Sequence, residues 1–298
     1  MSFRDNEYVL MCLYCTGNTG LGKEAALQLA KHNPAHIFIG SRSTEKARTA
    51  ITEIVAAVPT AHLTPVMMDL ASLDSVAAAA KQVLAKTLRL DILMNNAGIM
   101  AVPPQVTIDG YEIQFATNHL GHALLTKLLL PMMLKTAEQP GSDVRIINLT
   151  SHSHQRAPKG GIQFEMLRSA DPASSPLTNY GQSKLANILH AKQLAMRYPS
   201  IKTVAIHPGM VNTDLTNTMR KSFIVARFVV PIVAHFQAVG IKQGVLNQLW
   251  GATSPEAESG EYYEPVSIGG LGSPLTNDAE LAEKLWEWTE IQIAGFGV

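Results

Sequence analysis

Short apolar runs alternate with longer segments of helical periodicity along this chain. Strands are predicted at 8–14, 35–39, 63–68, 92–94, 144–149 and 202–207, and helices at 23–32, 45–58, 73–88, 110–134 and 179–198. Strands that alternate with helices predict a parallel sheet covered on both faces. Right-handed crossovers then give an α/β, doubly wound Rossmann fold with about seven strands, in which ligands bind at the carboxyl ends of the strands.

We expect a single domain over residues 1–298, because no linker, repeat or break in composition divides the chain. The 24 basic and 24 acidic residues balance, and no long basic run occurs, so nucleic acid is not an expected partner. Charged residues make up 16% of the chain, against about 25% in typical soluble domains. This low charge suits a protein that buries much surface, oligomerises or handles an apolar ligand.

The N-terminal segment MSFRDNEYVL has two acidic residues and no long apolar core, so no signal peptide is expected. No apolar stretch reaches the roughly 18 residues of a spanning helix. Cys12 and Cys15 are the two cysteines, and they provide no disulfide framework. A cytoplasmic protein is therefore the expectation.

The segment CLYCTGNTGLG combines a C-x-x-C pair with a glycine-rich turn. Cys12 and Cys15 lie three apart in a predicted strand, so their thiols point to opposite faces and we interpret them as core residues. No further ligands indicate a metal site. Glycines between a strand and a helix instead predict a phosphate cradle. Its residues are Gly17, Asn18, Thr19, Gly20, Leu21 and Gly22.

The second strand ends in IGSRS, which places Ser41 and Arg42 where an NAD-binding fold usually carries an acidic residue. An arginine can bind a 2′-phosphate bidentately, whereas a carboxylate would repel it. We therefore predict NADP(H) as cofactor in preference to NAD(H). The alternative is a solvated surface arginine.

Thr150 and Ser151 follow the fifth strand, and the next helix carries Tyr180 and Lys184 at i, i+4 spacing on one face. A nearby ammonium favours the phenolate, so the pKa of Tyr180 is expected below its ordinary value of about 10. Tyr180 is then a candidate general acid or base. The Y-x-x-x-K pattern alone is weak, but its position after Ser151 strengthens it.

Taken together, these motifs resemble the short-chain dehydrogenase/reductase family over about residues 8–265. The matching segments, in chain order, are TGNTGLG (16–22), Asp69-Leu70, NNAG (95–98), Asn118 in NHLGH, Ser151, YGQSK (180–184) and HPGMVNTDL (207–215). NHLGHALL, HPGMV and KLWEWTE are similar to the retinol dehydrogenase and WW-domain oxidoreductase branch.

The resemblance implies a role for each matching residue. Tyr180 would transfer the proton, Ser151 would hydrogen-bond the substrate oxygen, and Lys184 would hold the nicotinamide ribose and lower the tyrosine pKa. Asn118 would organise a water relay behind Lys184. The remaining residues would contact the cofactor: Asp69 and Leu70 at the adenine, Asn95, Ala97 and Gly98 at the ribose, and Pro208, Gly209, Val211 and Thr213 at the carboxamide and diphosphate end.

Four histidines are interpreted without a metal. His152 and His154 are expected to border the substrate cleft, since neither a third ligand nor a nucleophile elbow accompanies them. His119 and His122 are expected to pack in the core. After the sixth strand, residues 212–242 would form a substrate lid whose apolar part, FIVARFVVPIVAHF, favours a lipophilic substrate; membrane-surface docking and a homodimer interface are the alternatives. Residues 266–298 would form a C-terminal extension.

We therefore predict an NADP(H)-dependent enzyme acting on CH–OH groups. It would interconvert a carbonyl and an alcohol on a small lipophilic molecule, of the polycyclic, terpenoid or polyketide type found in secondary metabolism. The alternative is a fold relative that acts as a non-redox binding or scaffold protein, because TGNTGLG is one residue shorter than the family pattern T-G-x-x-x-G-x-G. If Thr16-Gly17 correspond to the family's Thr-Gly, the loop has lost a residue and the cradle is tighter. If Gly20 and Gly22 set the register, which we favour because it keeps the spacing to the helix, Thr16 stands where glycine is needed, a strain of about 1–3 kcal/mol. Weak cofactor affinity is then expected.

Overall fold

The structure is a computed structural model that describes the backbone of residues 11–14 and all of residues 17–171, 173–211 and 239–297. Cys15, Thr16, Thr213 and nearly all of the predicted lid lie outside the described residues, as does the side chain of Cys12. The C-x-x-C interpretation and the lid therefore stay predictions.

Eight strands form one sheet in the order β3-β2-β1-β4-β5-β6-β7-β8. The strands are β1 (Met11–Tyr14), β2 (His36–Ser41), β3 (Leu63–Met67), β4 (Ile92–Asn95), β5 (Arg145–Leu149), β6 (Lys202–Ile206), β7 (Tyr262–Glu264) and β8 (Ile268–Gly269). The first seven pair in parallel, and β8 runs antiparallel at the edge. The doubly wound topology is confirmed, with the short edge strand as an addition.

Helices cover both faces of this sheet. They are α1 (Gly20–Ala30), α2 (Thr44–Ala57), α3 (Leu73–Leu84), α4 (Ile113–Phe115, a π turn at Ala116–Leu120, then Gly121–Ala137), α5 (Pro176–Arg197), α6 (Ile241–Gly244), α7 (Leu246–Thr253) and α8 (Ala279–Gln292). Short 3-10 helices lie at His152–Arg156, Phe164–Arg168 and Pro274–Asn277. None of the helices in the described part of the chain is long and apolar enough to cross a membrane.

Alternating strand residues build two separate cores. Phe38 and Leu93 pack with α3, α4, α5 and α8, whereas Ile37, Ile39 and Met94 pack with α1, α2 and α7. Side chains point to opposite faces at successive strand positions, so each buried strand serves both layers. This explains why the strands are apolar runs without alternation.

Helix α4 is the most deeply buried of the helices on its face. Twelve residues of its last segment are buried, and its apolar positions lie on all sides. Gly121 permits this packing: a Cβ there would lie 2.6 Å from the carbonyl oxygen of Leu70. The helix therefore packs directly against the loop that follows β3, which brings its π turn to the carboxyl edge of the sheet.

The strand order reverses between β1 and β4, which makes a crevice at their carboxyl ends. The loops after β1, β2, β3, β4, β5 and β6 all open on this edge. Most of the residues with predicted chemistry lie on these loops or on the adjoining turns of α4 and α5. The fold thus collects them at one place.

Candidate active site

Tyr180 and Lys184 lie one turn apart on the buried face of α5, beside the end of β5. Lys184 Nζ lies 5.6 Å from the centre of the Tyr180 ring. Tyr180 shares a hydrogen bond with Ser151. Ser151 Oγ also accepts from the backbone N–H of Ser153 at 3.2 Å, which leaves the serine proton to be donated. The structure therefore brings together the three residues that the sequence singled out for proton transfer.

Burial dominates the electrostatics of this cluster. Burial raises the pKa of Tyr180 to about 12, although the hydrogen bond with Ser151 lowers it in part. Burial likewise lowers the pKa of Lys184 to about 8. The expected fall of the tyrosine pKa is thus wrong for the protein alone, because loss of water around the phenolate outweighs an ammonium at this distance.

The ammonium of Lys184 is held from the end of β5. Its Nζ donates to the carbonyl oxygen of Leu149 at 3.2 Å, and Asn187 Nδ2 donates to the same oxygen at 2.9 Å. Thr150 Oγ1 donates to the carbonyl oxygen of Lys184 at 2.7 Å. These bonds fix α5 against β5, so the lysine head has a defined position despite its long side chain.

Asn118 lies in the π turn of α4 and ties this helix to the loop after β4. Its Oδ1 accepts from Ile99 N at 2.8 Å, and its Nδ2 donates to Ile99 O at 3.0 Å and to Ser183 Oγ at 2.9 Å. His122 Nδ1 donates to the Asn118 carbonyl at 3.0 Å. Single π turns recur at functional sites because they redirect a carbonyl and a side chain. Here the turn aims Asn118 at the loop.

Gly98 closes the NNAG loop directly beside the lysine. A Cβ at this position would lie 3.3 Å from Lys184 Nζ and 3.4 Å from Asn118 Oδ1. The side chain of Asn95, by contrast, points into the fold. Its Nδ2 donates to Asn148 Oδ1 at 2.7 Å and to Thr126 Oγ1 at 3.1 Å. The side chain of Asn95 is therefore a link between strands, and a ribose contact stays a prediction for Ala97 and Gly98.

The N-terminus of α1 is a candidate anion site on this edge. Helices α2, α3 and α8 each have a side-chain cap and an acidic residue in the first turn. Helix α1 has neither, since Thr19 at its N-cap makes no side-chain hydrogen bond. Gly20 adopts a φ of +54° at its start, and Gly17 N donates to Gly40 O at 3.2 Å. Open helix N–H groups after a glycine-rich turn suit a diphosphate.

The loops after β2 and β3 supply the far end of the crevice. Ser41 is buried and its Oγ accepts from Ser43 N at 3.1 Å, so its hydroxyl serves the turn. Arg42 is exposed at the same strand end. Asp69 Oδ1 accepts from Ala71 N at 3.0 Å, which shapes the loop that continues into Leu70. Arg42 is thus the side chain that is available to an external group.

The loop after β6 closes the opposite side. Gly209 requires a φ of +85°, and a Cβ there would lie 3.0 Å from Pro265 Cγ. Val211 packs tightly against Gly244, where a Cβ would overlap Val211 Cγ2. The turn through Pro208 is therefore held between Pro265, which follows β7, and helix α6.

Sequence reasoning missed the groups at the end of β7. Tyr262 OH and His152 Nδ1 both hydrogen-bond Glu264 Oε1, at 2.9 and 2.8 Å. This strand is only three residues long, too short for periodicity to reveal it. His154 is structural, since its Nδ1 donates to Ser151 O and its Nε2 accepts from Ser273 N. Among the described residues no group of side chains fits a metal ion.

Gly181, next to Tyr180, offers a test of how tightly this site is built. A Cβ there would lie 2.7 Å from Ser153 O and 2.8 Å from Arg156 C, both backbone atoms that cannot rotate away. We expect Gly181→Ala to lower the free energy of unfolding by about 1–3 kcal/mol through overpacking. Urea unfolding measures this loss. Gly240→Ala is the matched control, because no atom of the residues that the structure describes lies within 4 Å of its Cβ position; equal stability of both variants would contradict the packing described.

Comparison with known proteins places this site in a family. The family model for short chain dehydrogenases matches residues 11–164, slightly more than half of the chain. The short-chain dehydrogenase/reductase drtF of Aspergillus calidoustus is 40% identical and the alignment covers 93% of this chain and 91% of that protein. Retinol dehydrogenase 12 of Mus musculus is 34% identical, over 90% of this chain and 81% of its own length.

Solved structures agree with this assignment. A protein from Mycobacterium paratuberculosis aligns with a TM-score of 0.73 at 27% identity, over 96% of this chain and 93% of its own. An NADPH-bound carbonyl reductase from chicken fatty liver aligns with a TM-score of 0.62 at 25% identity, over 88% and 99%. The chain therefore belongs to the short-chain dehydrogenase/reductase family of oxidoreductases, in its retinol dehydrogenase-like branch.

Proposed function

We propose that the protein is an NADP(H)-dependent oxidoreductase that interconverts a carbonyl and an alcohol on a small lipophilic substrate, with Tyr180 as proton donor and acceptor. The observation that carries this proposal is the cluster of buried Tyr180, Lys184 and Asn118 with half-buried Ser151 at the carboxyl edge of the sheet. The comparisons favour such an oxidoreductase over the non-redox alternative. The test is the oxidation of NADPH, followed by absorbance, with a panel of ketones.

The residues present fit a nicotinamide dinucleotide. The open N-terminus of α1 would hold its diphosphate. Gly98 has no side chain and packs directly against Lys184 and Asn118, so the ammonium of Lys184 lies at the loop that would meet the ribose. Arg42 would bind a 2′-phosphate at the end of β2. When bound, the cofactor supplies or accepts the hydride.

The chain's own residues supply the proton and the oxygen-binding site. A tyrosine pKa of about 12 keeps Tyr180 protonated at neutral pH, which is the state a proton donor needs for carbonyl reduction. Ser151 would donate its hydroxyl proton in a hydrogen bond to the substrate carbonyl oxygen and so stabilise the negative charge that develops on that oxygen. Lys184, whose pKa is about 8, is cationic at neutral pH and stabilises the phenolate that remains.

Alcohol oxidation requires the reverse proton transfer and therefore an ionised Tyr180. The raised pKa of this phenol disfavours that state in the protein alone. Reduction is accordingly the direction that the side chains support best at neutral pH. The lipophilic nature of the substrate is supported by the likeness to retinol dehydrogenase 12.

The preference for NADP(H) rests on Arg42. We expect Arg42→Asp to lower the affinity for NADPH relative to NADH by about 10- to 100-fold, because a bidentate phosphate contact is replaced by like-charge repulsion. Fluorescence titration with both cofactors measures the ratio. Lys46→Ala, an exposed change on the next helix, is the control. A ratio unchanged in Arg42→Asp would leave the choice of cofactor to other residues.

The remaining expectations about partners and compartment are also proposals. A homodimer or contact with a membrane surface would involve the apolar segment 223–236, which lies outside the described residues. A cytoplasmic location is proposed from composition alone. A relative at 36% identity, the short-chain dehydrogenase TIC 32 A of Brassica napus, is named as chloroplastic.

A further inference from the structure

A second polar cluster lies beside the candidate active site, at the ends of β5, β6 and β7. Its members are His152, which follows Ser151, His207, which follows β6, and Glu264, which ends β7. Parallel pairing places Leu149 beside Ile206 and Ile206 beside Tyr263. The residues after these strands therefore converge on one point of the carboxyl edge.

Glu264 orients the ring of His152 from one side. Glu264 Oε1 accepts from His152 Nδ1 at 2.8 Å and from Tyr262 OH at 2.9 Å. Burial raises the pKa of Glu264, but the hydrogen bonds from His152 and Tyr262 outweigh burial and the net pKa is lowered. The group is thus a carboxylate at neutral pH. Because Nδ1 donates to this carboxylate, Nε2 is the ring nitrogen that can accept a hydrogen bond in this tautomer.

The other groups around this pair leave His152 as the side chain that can reach a ligand. His154 uses both ring nitrogens, on Ser151 O and Ser273 N. His207 is buried, and burial lowers its pKa to about 4, so it stays neutral. The ammonium of Lys184 is directed to Leu149 O. The side chain of His152, by contrast, is 58% exposed.

We propose that the His152–Glu264 pair is a substrate subsite that accepts a hydrogen bond from a hydroxyl group, and that the preferred substrates are carbonyl compounds carrying a second, phenolic or enolic hydroxyl. This inference rests on the proposed function for the reacting carbonyl itself. Ser151 and Tyr180 hold that oxygen, and His152 is the next residue along the chain from Ser151. Both oxygen-binding points therefore lie at the carboxyl edge of the sheet, at the end of β5.

The acidity of the hydroxyl follows from the chemistry of the acceptor. An imidazole backed by a carboxylate is a good proton acceptor, and its hydrogen bonds strengthen as the donor becomes more acidic. Phenols and enols therefore bind better than aliphatic alcohols of the same shape. An ether oxygen has no proton to donate, so its compounds lose this contact.

The test compares hydroxytetralones with the corresponding methoxytetralones, at each aromatic position in turn, with α-tetralone as the unsubstituted ketone. We expect the wild-type protein with NADPH to favour at least one hydroxyl isomer over its methoxy counterpart by about 10- to 100-fold in kcat/KM. Most of this effect should lie in KM, because the hydroxyl group takes no part in the hydride or proton transfer and its contact is made equally in the bound substrate and in the transition state.

Variants of His152 and Glu264 test whether this pair causes the preference for the hydroxyl compound over its methoxy counterpart. His152→Ala should reduce that ratio to about threefold or less, with the loss larger for the hydroxyl than for the methoxy compound. Glu264→Gln should lower it partly, since the amide oxygen still accepts but carries no charge. His62→Ala, at an exposed histidine on the amino side of β3, is the matched control and should keep the wild-type ratio.

Equilibrium binding to the protein–NADPH complex separates this inference from the proposed function. Tighter binding of a hydroxytetralone than of its methoxy counterpart, lost in His152→Ala, would support the subsite even if no tetralone were reduced. In that case the subsite would stand and the proposed carbonyl reduction alone would be contradicted. A wild-type protein that binds and reduces no hydroxyl isomer better than its methoxy counterpart overturns the inference. A preference that survives in His152→Ala overturns it equally.

Discussion

Tyr180→Phe is expected to lower kcat for carbonyl reduction by about three orders of magnitude while cofactor affinity stays close to that of the wild type. The change removes a single oxygen atom from a ring that is buried on α5. General acid catalysis by a positioned group contributes about 10²- to 10⁴-fold, and the hydrogen bond between Ser151 and Tyr180 is lost with it. Steady-state kinetics and NADPH titration measure the two quantities.

Two outcomes would contradict this account. A phenylalanine variant that keeps more than about a tenth of wild-type turnover would show that another group delivers the proton. Loss of cofactor binding would show that the ring is a structural part of the cofactor site. Ser151→Ala provides a comparison, because it removes the oxygen-binding hydroxyl but leaves Tyr180 to donate its proton.

The folded protein is expected to lose several kcal/mol of stability between pH 7.5 and pH 5. His122, His190 and His207 are buried, and burial lowers their pKa values to about 3, about 4 and about 4. In the unfolded chain a histidine titrates near 6.5. Between about pH 4 and 6.5 the unfolded state therefore binds more protons, so stability falls as the pH falls through that window.

The magnitude follows from the same linkage. Each of these histidines contributes about 2 kcal/mol to the loss at pH 5, as an upper estimate. Glu112 acts in the opposite direction, because burial raises the pKa of its carboxyl, and a carboxyl of this kind favours the folded state on acidification. The histidines outnumber it, so the net effect is destabilising.

His190→Phe isolates one contribution. The ring of His190 stacks on Trp286 at 5.4 Å, and phenylalanine keeps an aromatic ring without a titratable group. Urea unfolding at both pH values should show a loss that is smaller by about 2 kcal/mol in the variant. An identical pH dependence in variant and wild type would contradict this prediction, because it would show that His190 takes up its proton as readily in the folded protein as in the unfolded chain.

Periodicity and motif order were sufficient for the fold because each buried strand is an apolar run and each crossover is a helix. They did not predict the elements whose position depends on tertiary contacts. The π turn at Asn118 leaves no mark in the hydrophobic pattern, and β7 is three residues long. Helix α1 begins at Gly20, three residues before its predicted start, because the glycine supports a left-handed φ at the helix entrance.

In the candidate site, too, sequence spacing predicted some features, and others depend on tertiary contacts. Spacing placed Tyr180 and Lys184 on one helix face, and in the structure Ser151 shares a hydrogen bond with the tyrosine. The direction of the tyrosine pKa was wrong because burial cannot be read from an i, i+4 pair. Asn95 matched the family pattern, yet its side chain bonds to Asn148 within the sheet. Glu264 was missed, since only folding brings it to His152.

The central claim is that this chain binds a nicotinamide dinucleotide at the carboxyl edge of its sheet and uses it for redox chemistry. Fluorescence titration of the purified wild-type protein with NADPH, with NADH in parallel, tests it most directly. We predict saturable binding of NADPH that is tighter than that of NADH, though weakened by the short TGNTGLG turn. No binding of either cofactor would contradict the assignment of this site and the oxidoreductase function built on it.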